Sequence, residues 1–250
     1  MKRLRDFTTA RVALGRTGNS VPVREMLDFQ LAHARARDAV YAAFDAARMV
    51  SRTAGVVVRS QARDRAEYLK RPDKGRRLDA GSQALLSQMG GEYDAAFVVC
   101  DGLSPRAVEQ SAAALIDRIR PRLEGWRLAP VIVCEQGRVA IGDEIGQALG
   151  AALSIVLIGE RPGLSAADSM GVYLTWGPRP GRTDAERNCI SNIRPEGLAV
   201  EAAAELLWFL MNESRSRRLS GVALKAPFLP ESLPQSSTGA KLASSASLTT

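Results

Sequence analysis

An α/β fold, a Rossmann-like parallel sheet flanked by helices and preceded by a helical N-terminal region, is the architecture this sequence predicts. Three observations carry it. The runs AFVVC (96–100), VIVC (131–134) and SIVLI (154–158) are continuously apolar, the mark of strands buried on both faces. They alternate with amphipathic stretches. Their ends at Cys100, Cys134 and Ile158 lie 34 and 24 residues apart, close to the ~30 residues of a βαβ unit.

The elements follow in chain order. Asn19-Ser20-Val21-Pro22 joins a capping residue to a proline that fixes φ, and it opens a helical stretch running from Val23 to Met49. Met26, Leu27, Leu31 and Ala34 recur there at helical spacing beside Arg24, Arg35 and Arg37, a narrow stripe suited to another helix or subunit. Val56-Val57-Val58 reads as a short strand, and the basic turn Arg71–Arg77 leads into a helix over Leu78–Met89. From Ala95 the order is strand (95–100), helix (105–119), strand (130–134), helix (143–149), strand (153–158), a short helix near 165–170, strand (172–176) and a last helix (199–215). Three parts result: a basic, mainly helical region at 1–90, a sheet domain at 91–226, and a Ser-, Thr- and Pro-rich tail at 227–250 expected to be disordered.

Charge and composition narrow the function. The net +7 divides into +9 over residues 1–80 and −2 over the remainder. Such a basic first third suits nucleic acid, an acidic protein partner or a solvated helical face. At 5% aromatic residues, with no nucleic-acid motif beside the basic cluster, nucleic acid is the weaker reading. No apolar run approaches the ~18 residues of a membrane span, and the N-terminus lacks the apolar core of a secretory signal, which predicts a cytoplasmic protein without a membrane partner. Cys100, Cys134 and Cys189 form no C-x-x-C pair, so neither a disulfide framework nor a zinc cage is expected.

In an open parallel sheet, ligands bind beyond the carboxyl ends of the strands. There the sequence places Asp101-Gly102-Leu103-Ser104-Pro105, which turn and cap chemistry explains, and Gln136-Gly137-Arg138-Val139. There too is Gly159-Glu160-Arg161-Pro162-Gly163, read either as a loop ion pair or as a rigid binding shape. The segment 181–194 around Cys189 is the most polar of the chain, and no neighbouring His or Lys makes that cysteine a nucleophile. One histidine excludes a Ser-His-Asp set, and the P-loop, G-x-S-x-G and G-x-G-x-x-G motifs are absent. A binding subunit fits this inventory; a free-standing hydrolase or transferase using Glu160 and Asp101 is the rival.

Several blocks, GRVAIGDEIGQALGA, VLIGERPGLSAADSMGVYLT, RPGRTDAERNCISNIRPEGL, YLKRPDKGRRL and VVCDGLSP among them, closely resemble the small (light) subunit of ethanolamine ammonia-lyase, from about Phe7 to Leu224. The resemblance implies one subunit of an adenosylcobalamin-dependent radical lyase of ethanolamine catabolism, converting ethanolamine to acetaldehyde and ammonia. It implies a hetero-oligomer in which a large subunit carries the catalytic residues and the 1–90 region docks on it. Family cobalamin contacts fall on Val139 in GRV, Glu160 in GERPG and Cys189 in CISNI, expected just beyond the ends of the second, third and fourth strands of the sheet domain, as an apolar wall, an acceptor for corrin amides and a close-contact residue. No metal-ligating residue is expected. A protein imidazole would need D-x-H-x-x-G, but His33 has Leu31 and Ala36 at the Asp and Gly positions, which implies a base-on cofactor. The match begins close to Met1, without the additional N-terminal segment of members found in bacterial microcompartments. The cytoplasm is the expected location and a microcompartment the alternative.

Overall fold

Continuous β-branched runs become the centre of a six-stranded sheet. The computed structural model describes residues 7, 8 and 10–225, so the 227–250 tail lies outside the described residues. The strands are β1 (Val56–Arg59), β2 (Tyr93–Cys100), β3 (Ile132–Glu135), β4 (Ala151–Gly159), β5 (Met170–Trp176) and β6 (Arg187–Ile193), in the order β1-β3-β2-β4-β5-β6. The helices are α1 (Val23–Tyr41), α2 (Ala46–Thr53), α3 (Arg65–Lys70), α4 (Ala80–Gln88), α5 (Pro105–Ile119), α6 (Ile141–Leu149) and α7 (Val200–Arg217).

Strand residues alternate between two cores, as a period of two requires. Ala95, Phe97 and Val99 of β2 join Leu153, Ile155 and Leu157 of β4 beneath α2, α5 and α7. Ala96, Val98 and Cys100 join Ile132 and Cys134 of β3, Val156 and Ile158 beneath α4 and α6. This double cover is why the runs show no polar alternation. β1, although N-terminal to residue 90, is the edge strand beside β3, so the basic region contributes directly to this sheet.

Five expectations need correction. β1 to β4 are parallel, but β5 pairs antiparallel with β4 and β6 antiparallel with β5, so the sheet is mixed. The polar segment around Cys189 is itself β6, an edge strand in which only Arg187, Ile190 and Ile193 are buried. In place of a helix near 165–170 there is a turn closed by the Gly163–Ala166 bridge, with β5 starting at Met170. The stretch from Val23 to Met49 breaks after Tyr41, because Asp45 begins a new helix by accepting from the Arg48 amide at 2.9 Å. Ser104 likewise does not cap α5; its hydroxyl donates to the Ala167 carbonyl at 2.8 Å.

Candidate functional site

The parallel strands end along one edge, and the loops that leave them build a crevice. A cavity of about 400 Å³ opens there, lined by residues that include Tyr68, Arg138, Val139, Glu160, Arg161 and Tyr173. A larger cleft of about 760 Å³ lies between α1 and the loops near Ser165 and Arg194, and its lining mixes Arg35, Arg106 and Arg194 with Asp38, Asp168 and Glu196. The smaller cavity is the one that holds sequence-predicted site residues.

Asp101, at the end of β2, organises this edge. Its carboxylate accepts from the Gly102 amide at 2.9 Å and, across to the β3–α6 loop, from the Gly137 amide at 3.1 Å. Arg65 of α3 donates to the same carboxylate at 3.3 Å, to the Gly102 carbonyl at 2.7 Å and to the Val40 carbonyl near the end of α1 at 2.7 Å. The carboxyl is 1% exposed, and burial pushes it up to about 6 against the pull of Arg65 and the amides. Gly102 is required at its position: its φ is +60°, and a Cβ would lie 2.2 Å from the Gly159 carbonyl. The loop after β2 thus touches the end of β4 backbone to backbone.

The β3–α6 loop presents Arg138 and Val139. The Arg138 amide donates to the Gly75 carbonyl at 2.7 Å, so the basic 71–77 turn buttresses it. Tyr68 is fully buried, its hydroxyl donates to the Gly137 carbonyl at 3.1 Å, and its ring lies 4.8 Å from the Arg65 guanidinium carbon and 4.2 Å from that of Arg138. Five buried side-chain polar atoms lack a partner among the described residues, and three of them, Arg65 Nη2, Gln136 Oε1 and Arg138 Nε, belong to this corner.

Glu160, directly after β4, forms no ion pair with Arg161. Its carboxylate turns to β5 and β6, accepting from the buried Ser169 hydroxyl, from the Ser191 hydroxyl at 2.6 Å and from the Asn192 amide at 3.2 Å. Cys189 is not beyond a strand end. Because β5 runs antiparallel, its carboxyl end lies at the far edge of the sheet, and Cys189 sits within β6 opposite Tyr173. Its exposed thiol neighbours the Tyr173 hydroxyl, and that tyrosine lines the cavity. The thiol is raised from its ordinary value by desolvation, against the pull of the Tyr173 hydroxyl and with the Glu160 charge adding to the rise, which agrees with a non-nucleophilic cysteine. Cys100 and Cys134 lie side by side on β2 and β3, both buried, and Cys100 together with burial raises the Cys134 thiol.

The structure therefore brings Val139 and Glu160 to one cavity and Cys189 to its margin. Tyr68, Arg65, Tyr173 and Ser169 gave no signal of their own in the sequence, because Tyr68 and Arg65 enter through contacts tens of residues away and Tyr173 and Ser169 through the antiparallel return of β5. No cluster of potential metal ligands occurs among the described residues. Nor is any described helix long and apolar enough to cross a membrane.

The class this geometry defines is an α/β domain that presents a half-open crevice at the carboxyl edge of the parallel part of its sheet. Residues 1–225 match the family model of the ethanolamine ammonia-lyase light chain (EutC). The chain is 52% identical over 235 residues to an ethanolamine ammonia-lyase small subunit of Azotobacter vinelandii, covering 90% of this chain and 87% of the relative. It is 52% identical over 233 residues to those of Pseudomonas aeruginosa PAO1 (89% and 85% covered) and Rhodopseudomonas palustris BisA53 (90% and 89%). The chain belongs to the ethanolamine ammonia-lyase light-chain family, small subunits of an adenosylcobalamin-dependent carbon–nitrogen lyase that work with a large subunit.

Proposed function

We propose that this chain covers one side of a base-on adenosylcobalamin, with Val139, Glu160 and Cys189 on the cofactor face and the 1–90 region docked on the large subunit. The observation that carries this reading is the gathering of Val139 and Glu160 around one crevice, with Cys189 reached through Tyr173. The residues suit a corrinoid: the Glu160 carboxylate offers an acceptor to a ligand rimmed with amides, and Val139 supplies an apolar wall. A cavity of about 400 Å³ is open enough to share a large ligand with a second subunit. Glu160 fixes the rim and keeps acceptor capacity on Oε1 for a cofactor amide.

When bound, adenosylcobalamin supplies the radical chemistry that converts ethanolamine to acetaldehyde and ammonia. This chain's residues bind and orient the cofactor, and the substrate-handling residues belong to the large subunit. The base-on reading is supported by His33, the chain's single histidine, which stacks on Phe29 of α1, 6.4 Å between ring centroids, and lines neither cavity. Docking is supported by α1, where Met26, Leu27, Phe29 and Leu31 remain 44–54% exposed and call for a protein cover. We place the assembly in the cytoplasm.

The test is co-expression with a large subunit, loading with adenosylcobalamin, and addition of ethanolamine. Loss of the cobalt–carbon absorption is expected, and an unchanged spectrum with a competent partner refutes the reading. EPR of the cobalt(II) cofactor should keep its nitrogen coupling unaltered when histidine in the protein carries ¹⁵N. A changed coupling would overturn the base-on assignment.

A further inference from the structure

Two guanidiniums on the crevice wall have no counter-charge. Arg138 lines the cavity and stacks on Tyr68, and its Nη2 donates only to the Tyr68 carbonyl at 3.2 Å, while its Nε is buried without an acceptor. Arg65, against the same ring, is compensated by Asp101. Arg138 meets no carboxylate among the described residues. Arg161 stands exposed on the same wall, also without a carboxylate, because Glu160 has turned to Ser169, Ser191 and Asn192. Holding a partly desolvated cation on a wall that carries a second one is unfavourable unless an anion arrives. Guanidinium forks at such a place match a phosphate better than an isolated ammonium would.

We propose that Arg138 and Arg161 form an anion seat for the phosphodiester of the cofactor's nucleotide loop. The proposal rests on the cofactor reading above and extends it from the corrin face to the tail. Cobalamin offers one phosphodiester among peripheral groups that are otherwise neutral amides, so the seat selects a single part of the ligand. A base-on cofactor keeps its nucleotide loop folded under the ring, so corrin and phosphodiester would be presented to the protein together. Tyr68 and the Gly75 carbonyl position Arg138, and the basic region thereby contributes to cofactor recognition as well as to docking.

The test compares two corrinoids on the assembled enzyme, cyanocobalamin and dicyanocobinamide, the second lacking the phosphodiester and base. Arg138→Gln and Arg161→Gln should each weaken cyanocobalamin binding about 10- to 100-fold for a lost charge-assisted contact, with the cobinamide dissociation constant changing less than about twofold. Arg138→Lys should recover part of the loss. The ratio of the two affinities is unaffected by a smaller folded fraction, so a destabilised variant still reports. Equal losses for both corrinoids, or no loss, overturn the seat; equal losses would be the result if a large-subunit carboxylate filled it instead. Val139→Trp, which fills the crevice, separates the two readings. If it abolishes binding of both corrinoids while the arginine variants fail to discriminate, only the seat falls. If it changes neither, the crevice itself is not the cofactor site and both readings fall.

Discussion

Glu160 joins three elements, and its replacement by Ala should cost clearly more stability than its replacement by Gln. One carboxylate oxygen, Oε2, receives the Ser169 hydroxyl and the Asn192 amide; the other, Oε1, receives the Ser191 hydroxyl. In Glu160→Ala all three donors lose their acceptor. Ser191 and Asn192 are exposed and find water, whereas Ser169 is 5% exposed and is left unsatisfied. Stranding one buried donor costs about 1–3 kcal/mol, and for a chain of this length each kcal/mol lowers Tm by roughly 2–4 °C. Glu160→Gln preserves every contact if the amide oxygen takes the Oε2 position. Ser169 and the Asn192 amide then still donate, and the Gln side-chain amide nitrogen donates to Ser191, whose hydroxyl can reverse and accept. The expected change for Glu160→Gln is below about 1 kcal/mol. Urea or thermal denaturation of the full chain reads both variants. Equal destabilisation by Ala and Gln, or a neutral Ala variant, refutes the view that Glu160 fastens β4 to the ends of β5 and β6.

Two other perturbations follow from buried charge. Arg187 and Asp143 are each 3% exposed in their side chains and pair at 2.7 Å through both guanidinium arms, so Asp143→Ala should cost about 3–5 kcal/mol by stranding the guanidinium, while Asp143→Leu with Arg187→Met together should cost markedly less; a denaturation series in which the double variant is the worst rejects this. Asp101 titrates near 6 when folded and near ~3.9 when unfolded, so the folded state binds more protons between these values, and its contribution to stability is full below about 4 and is lost as pH rises towards 6. Asp101→Asn does not titrate, so the stability of wild type relative to this variant should fall by about 2–3 kcal/mol across that window; a flat difference would mean that the carboxyl is not raised.

How much of this was legible in the sequence depends on how local each determinant is. β2, β3 and β4 are readable because burial on both faces writes itself into consecutive side chains. β6 was hidden for the opposite reason: as an edge strand with four of its seven residues outside the core, it carries Asn188, Ser191 and Asn192 and looks like a loop. Missing β6 also misplaced Cys189, since its location follows from the reversal of β5, which no residue near Cys189 encodes. Asp101 is an intermediate case. Its bond to the Gly102 amide is local and fits the turn read from the sequence, yet the contacts that make it the centre of the crevice come from Arg65 and Gly137, each 36 residues away. The Glu160–Arg161 doublet shows the same limit, because adjacency suggested an ion pair and the fold gave the carboxylate better donors on other strands. What remained invisible in the sequence was therefore the assignment of partners, which only the sheet could make. Splitting that doublet is also what leaves Arg161 without a counter-charge beside Arg138 on the crevice wall.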